Sequence, residues 1–169
     1  LSRAQVRALS RMHDCWVEPQ VRALFPHVTP AGRNETFVAQ RVQQFWLRLG
    51  RFAEAASLSP FSAGSQFTLA DCAWSTTLIQ AELIFTALGH PFELPEPLQQ
   101  WRDRLANVEA VRPELTACAD SMRAWLEQRG ATTWSDTPIS LAPLVRCYIG
   151  CPVVTGDMAT SVTNLGNRL

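Results

Sequence analysis

Three groupings in the 169-residue sequence hold side chains that could do chemistry: His13 beside Asp14, Cys147-Tyr-Ile-Gly-Cys151, and Thr68 with Asp71. A histidine next to a carboxylate is the raw material of an acid–base pair. Adjacent residues on a helix point about 100° apart, so the two side chains are expected to face different ways, with His13 a partly exposed helix residue. The cysteine pair has three residues between its thiols and no second ligand pair, with only His13, His27 and His90 elsewhere. Neither a metal centre nor a redox pair is expected there. Five cysteines in all, at 15, 72, 118, 147 and 151, are odd in number and scattered, which predicts reduced, buried thiols rather than a disulfide framework.

Phe67-Thr-Leu-Ala-Asp71 is the sharpest local signal. Thr68 as N-cap and Asp71 three residues on make a reciprocal box, the hydroxyl accepting the Asp71 amide and the carboxylate reaching back to the Thr68 amide. Both are structural residues in this reading. Phe67 precedes the cap as a staple, although its partner position holds only the small Cys72.

The elements that must position these groups are helical. Residues 1–25 carry an apolar stripe at Leu9, Met12 and Trp16, with Val17, Val21 and Leu24 on a neighbouring track. Arg3, Arg7, Arg11, Asp14, Glu18 and Arg22 form one polar stripe, and Pro19 should bend the helix. A loop follows to Arg33, and Asn34 caps a helix over 35–57 with Val38, Val42, Phe45, Leu49, Phe52 and Ala56 inward. The helix begun by the box, over 69–87, is apolar nearly all round and belongs in the centre of a bundle. Two more are expected: 96–107, turning Leu98, Trp101 and Leu105 inward, and 112–128, with Leu115, Ala119, Met122 and Leu126 inward, Pro113 in its first turn and Gly130 as its stop. Trp46, Trp74, Trp101 and Trp125 fall at helical positions as core or interface aromatics. Beyond them, 130–169 is rich in Pro, Gly, Ser and Thr without sustained periodicity, and reads as an irregular or disordered tail. The prediction is an all-α bundle of about five helices over 1–129.

Composition removes several functions. Fifteen basic and fifteen acidic residues cancel, so the charge footprint of a nucleic-acid binder is missing. No run of about 18 apolar residues exists to span a membrane. The start, LSRAQVRALSR, is amphipathic and unlike a signal peptide, and the absence of an initial methionine suggests a fragment or a processed chain.

Order and residues together resemble the C-terminal helical domain of soluble, bacterial-type glutathione transferases. One carrier is Phe67-Thr68-Leu69-Ala70-Asp71, similar to that family's buried capping box. The other is Pro97-Leu98-Gln-Gln-Trp101-Arg-Asp-Arg104-Leu105 followed by Ala110-Val111-Arg112-Pro113, similar to its penultimate helix and turn; Glu109-Ala110 stands where arginine-proline is usual. The resemblance covers residues 1 to about 129. It implies a parent enzyme that is cytoplasmic and homodimeric, whose partners are glutathione and a hydrophobic small molecule, with no metal, membrane or nucleic acid. Glutathione, the co-substrate, would be held mainly by a thioredoxin-like N-terminal half that this chain lacks, together with the Tyr, Ser or Cys that activates the thiol. No catalytic residue is therefore expected here.

The family's cleft positions fall on Arg11, Trp16 and Glu18. Arg11 would meet a glutathione carboxylate, and Glu18 would orient a polar co-substrate or a water. The plainer alternative leaves Arg11 and Glu18 on the solvated stripe and Trp16 in the core. Two other functions also stay open: a non-catalytic interaction module of the same fold, and a truncated product without activity of its own.

Overall fold

The computed structural model of the protein describes residues 2–131. The chain starts with α1 (Arg3–Met12), which runs through a π turn (His13–Val17) into α2 (Glu18–Arg22). Ser2 caps α1: its hydroxyl accepts the Gln5 amide at 3.3 Å while the Gln5 side chain takes the Ser2 amide at 3.2 Å. The expected bend at Pro19 takes the form of the π turn before it. Proline has no amide to give and crowds the carbonyl four residues back, and one inserted residue relieves both. Accordingly the Glu18 amide bonds to the His13 carbonyl, five residues earlier. Side chains take the Trp16 carbonyl, Gln20 Nε2 at 3.1 Å and Arg48 Nη1 at 3.2 Å.

Two short 3₁₀ turns (Phe25–His27 and Pro30–Gly32) lead to α3 (Glu35–Ala55), capped by the Asn34 side chain on the Phe37 amide at 3.0 Å. The helix expected over 69–87 is two pieces, α4 (Leu69–Cys72) and α5 (Trp74–Ala87), divided at Ala73, whose amide turns back to the Asp71 carbonyl. The last described helices are α6 (Glu96–Ala106) and α7 (Arg112–Gln128). After α7, Gly130 takes φ +61°, where a side chain would be strained. That lets the Ala131 amide cap the Leu126 carbonyl at 3.0 Å.

The described residues form an all-α bundle around α5, which buries residues on every side, among them Trp74, Leu78, Ala81, Ile84 and Phe85. Helices α2, α6 and α7 pack on it, and α3 turns in Val38, Val42, Phe45, Leu49 and Phe52 as its spacing predicts. Leu98, Trp101 and Leu105 of α6 are likewise buried. At the centre Phe52 lies 4.0 Å from Trp74 and 5.5 Å from Trp101, ring centre to ring centre, in the offset or tilted geometry that aromatic quadrupoles favour. Trp46 and Trp125 are half-buried and pack against this core.

Two expectations need correction. Trp16 is 42% exposed, and the inward track of the first helix is Leu9, His13, Val17, Val21 and Leu24. The residue inserted at the π turn rotates everything after it by about 100°, which carries Trp16 off the core face. Cys15 and Cys72 are exposed free thiols rather than buried ones, and Cys118 is half-buried. Cys147, Cys151 and the expected tail lie outside the described residues. Among the described residues, no helix is long and apolar enough to cross a membrane.

Candidate functional site

Two carboxylates organise the chemistry of the bundle. Asp71 sits at the third position of α4 and is fully buried. Its Oδ2 accepts the Thr68 amide at 3.0 Å and the Thr68 hydroxyl at 3.1 Å. Oδ1 accepts the Ser62 amide at 2.8 Å and the Trp101 indole N–H at 3.4 Å. The Thr68 hydroxyl also accepts the Ala70 amide at 3.2 Å, so the predicted box is present and reaches further than predicted, into the preceding loop and into α6. Arg104 of α6 closes that loop from outside, donating from Nε to the Pro60 carbonyl at 2.8 Å and from Nη2 to the Leu58 carbonyl. Phe67 does not staple to Cys72; it packs edge-on against Phe61 at 5.7 Å. Every part of this centre is internally paired, which makes it a framework.

The second carboxylate, Asp14, lies in the π turn with about half of its side chain in solvent. It lines a hollow of about 320 Å³ between α1 and α4, together with Val6, Arg7, Ser10, Arg11 and Leu69. A volume of that size is at the small end of ligand cavities. Arg7 and Arg11 are one helical turn apart and exposed, so two guanidinium groups bring positive charge to it. Leu69, 74% exposed on the first residue of α4, supplies an apolar wall with Val6.

Behind Asp14 stands His13, and here the sequence expectation fails. The imidazole is only 4% exposed and presents its edge to Trp74 at 4.9 Å. Its Nδ1 meets Asp14 Oδ1 at 2.8 Å and its Nε2 meets the buried Thr77 hydroxyl at 2.9 Å. The π turn swings position 13 onto the core face, and Thr77 fixes the ring with Nδ1 toward the helix surface. A short carboxylate on the next residue reaches that nitrogen although the two Cβ directions diverge. With Nδ1–H donating to Asp14 and the Thr77 hydroxyl donating to Nε2, both ring nitrogens are satisfied by a neutral imidazole.

The three residues expected in a cleft are dispersed. Arg11 lines the hollow; Trp16 and Glu18 do not. Glu18 is held in an ion pair by Arg22, Oε1 accepting from Nε at 2.8 Å and Nη2 at 2.6 Å, and this contact raises the pKa of Arg22. Trp16 projects outward beside Arg48. The residues that sequence reasoning missed are Asp14, Thr77 and Leu69. The adjacent His-Asp pair with a proline five residues after Asp14 was a usable signal, since proline inside a helix forecasts a local insertion. Among the described residues no group of three His, Cys, Asp or Glu side chains could hold a metal ion.

Comparison with protein-family models, with curated proteins and with solved structures finds no match to this chain.

Proposed function

We propose that this chain is the helical half of a glutathione-transferase-like protein, working with a thioredoxin-like half that binds glutathione and activates its thiol. In this reading it provides the co-substrate wall and part of a homodimer interface, for conjugation to a hydrophobic electrophile or a glutathione-dependent isomerisation in the cytoplasm. The observation that carries it is the Asp71 centre. The two sequence pieces that bear the resemblance, 67–71 and 97–105, meet there through the bond from Trp101 to Asp71. A capping box alone is common; one whose carboxylate also holds the preceding loop and the next helix is a more specific feature.

The co-substrate wall falls at the hollow between α1 and α4. Arg11 there brings a cation for a carboxylate, and Leu69 an apolar surface for the electrophile. Because Glu18 is engaged by Arg22, Asp14 is the better placed carboxylate to orient a polar group.

The test uses the product of the native reading frame, with whatever sequence precedes Leu1. It should be retained on immobilised glutathione and conjugate glutathione to 1-chloro-2,4-dinitrobenzene. A protein that folds but shows neither retention nor turnover would overturn this reading in favour of a non-catalytic interaction module of the same fold.

A further inference from the structure

We infer that the hollow between α1 and α4 is a site for a small organic acid that also carries a hydroxyl, with Arg7 and Arg11 taking the carboxylate and Asp14 the hydroxyl, and with His13 and Thr77 as positioning residues for Asp14. The inference rests on the hollow being the co-substrate cleft of the proposed function, and it names the substrate class.

Three observations converge. The lining sorts by chemistry: two guanidiniums, one carboxylate, the Ser10 hydroxyl, and an apolar wall of Val6 and Leu69. Among the described residues Arg7 and Arg11 make no ion pair, and the one ion-pair partner of Asp14 is His13. The opposite charges at the rim therefore stand ready for a ligand rather than for each other. Second, a histidine that is 4% exposed reaches from the core to this rim and holds the carboxylate at 2.8 Å. Burying an imidazole costs free energy unless both nitrogens are paired, and here one is paired to α5 and the other to the hollow. Third, the helix carries its π turn at this place, and such insertions gather at functional sites.

Anchoring Asp14 Oδ1 on a fixed ring removes rotamer freedom that a ligand would otherwise have to freeze. Oδ2 has no partner among the described residues and is the acceptor offered to the ligand.

The experiment needs neither glutathione turnover nor an upstream domain, so it can fail independently of the proposed function. The full 169-residue chain, labelled with ¹⁵N, is titrated with 3-phenyllactate, 3-phenylpropionate, 3-phenylpropanol and glutathione. Phenyllactate is expected to bind with a Kd on the order of 1 mM, typical of a ligand of about a dozen non-hydrogen atoms. It should shift the amides of Ser10, Arg11 and Asp14. Phenylpropionate, lacking the hydroxyl, and phenylpropanol, lacking the carboxylate, should each bind about fivefold to tenfold more weakly, the loss of one charge-assisted hydrogen bond. Arg11→Gln should erase the preference over the alcohol, and Asp14→Ala the preference over phenylpropionate.

Thr77→Val separates positioning from packing. It should lower the phenyllactate-to-phenylpropionate ratio toward one while leaving phenylpropionate affinity unchanged. A residue that merely holds the fold would shift the melting temperature and leave the ratio alone, and that result would overturn the positioning role. Equal binding of the three aromatic probes, or shifts away from the hollow, would overturn the site. Tighter binding of glutathione than of phenyllactate would assign the carboxylate to glutathione and overturn the substrate class.

Discussion

Asp71 and Asp14 are both carboxylates on helical turns, and both anchor hydrogen bonds that cross between elements, yet they stand in opposite conditions. Asp71 is sealed from solvent and accepts four hydrogen bonds, so each lone pair it could offer a ligand is already used. Asp14 is half in water, is held by one ring nitrogen, and opens onto a hollow. A saturated buried carboxylate builds the fold; a tethered, unsaturated one at a cavity is what binding requires. The two regions share α4, because the same capped turn that points Asp71 inward turns Leu69 outward to the hollow. The framework thereby sets one wall of the site.

Removing the framework carboxylate should have the largest effect. Asp71→Ala leaves the Ser62 amide and the Trp101 indole buried without an acceptor, at a cost of about 4 kcal/mol, enough to unfold a marginal domain. Urea denaturation followed by tryptophan fluorescence measures it. Thr68→Ala keeps the carboxylate and removes one cap, so about 1–2 kcal/mol is expected in the same assay. Because that cap also seats Leu69, a parallel weakening of probe binding at the hollow would tie the two regions together.

Asp14→Ala is expected to move the urea midpoint by less than about 1 kcal/mol, since the side chain is half-exposed and one partner is lost. A loss comparable to that of Asp71→Ala would dissolve the distinction.

The smallest effect is one of pH and lies away from both carboxylates. Burial pushes the His90 imidazole below its ordinary value of 6.5; Glu35 opposes this and Arg33 adds to it. Between that lowered value and 6.5 the unfolded chain binds more protons than the folded one. Stability should therefore be full above pH 6.5, decline as pH falls through the window, and level off below the folded value. His90→Gln should flatten that part of the profile of urea midpoint against pH.

Much of the framework was legible in the sequence because its signals are local. Asn34, Thr68, Asp71 and Gly130 sit at helix ends, where a capping side chain or a positive φ has a known residue preference. The inward rows of α3 and α6 follow from spacing alone. The site was not legible, for one physical reason. An uninterrupted α-helix was assumed across Pro19, and the π turn before it changes the phase of all that follows. That single residue buries His13, exposes Trp16 and brings Asp14 to the hollow. Thr77, which completes the chain of bonds, lies 64 residues from His13, and no local pattern links them.

The claim that Asp14 is held for binding through His13 and Thr77 is tested most directly by a double-mutant cycle on Asp14→Ala and Thr77→Val, read as the phenyllactate-to-phenylpropionate affinity ratio. If the two act as one unit, the double variant should discriminate no worse than Asp14→Ala alone, the effects being strongly non-additive. Additive losses, or a ratio that Thr77→Val leaves untouched, would contradict it.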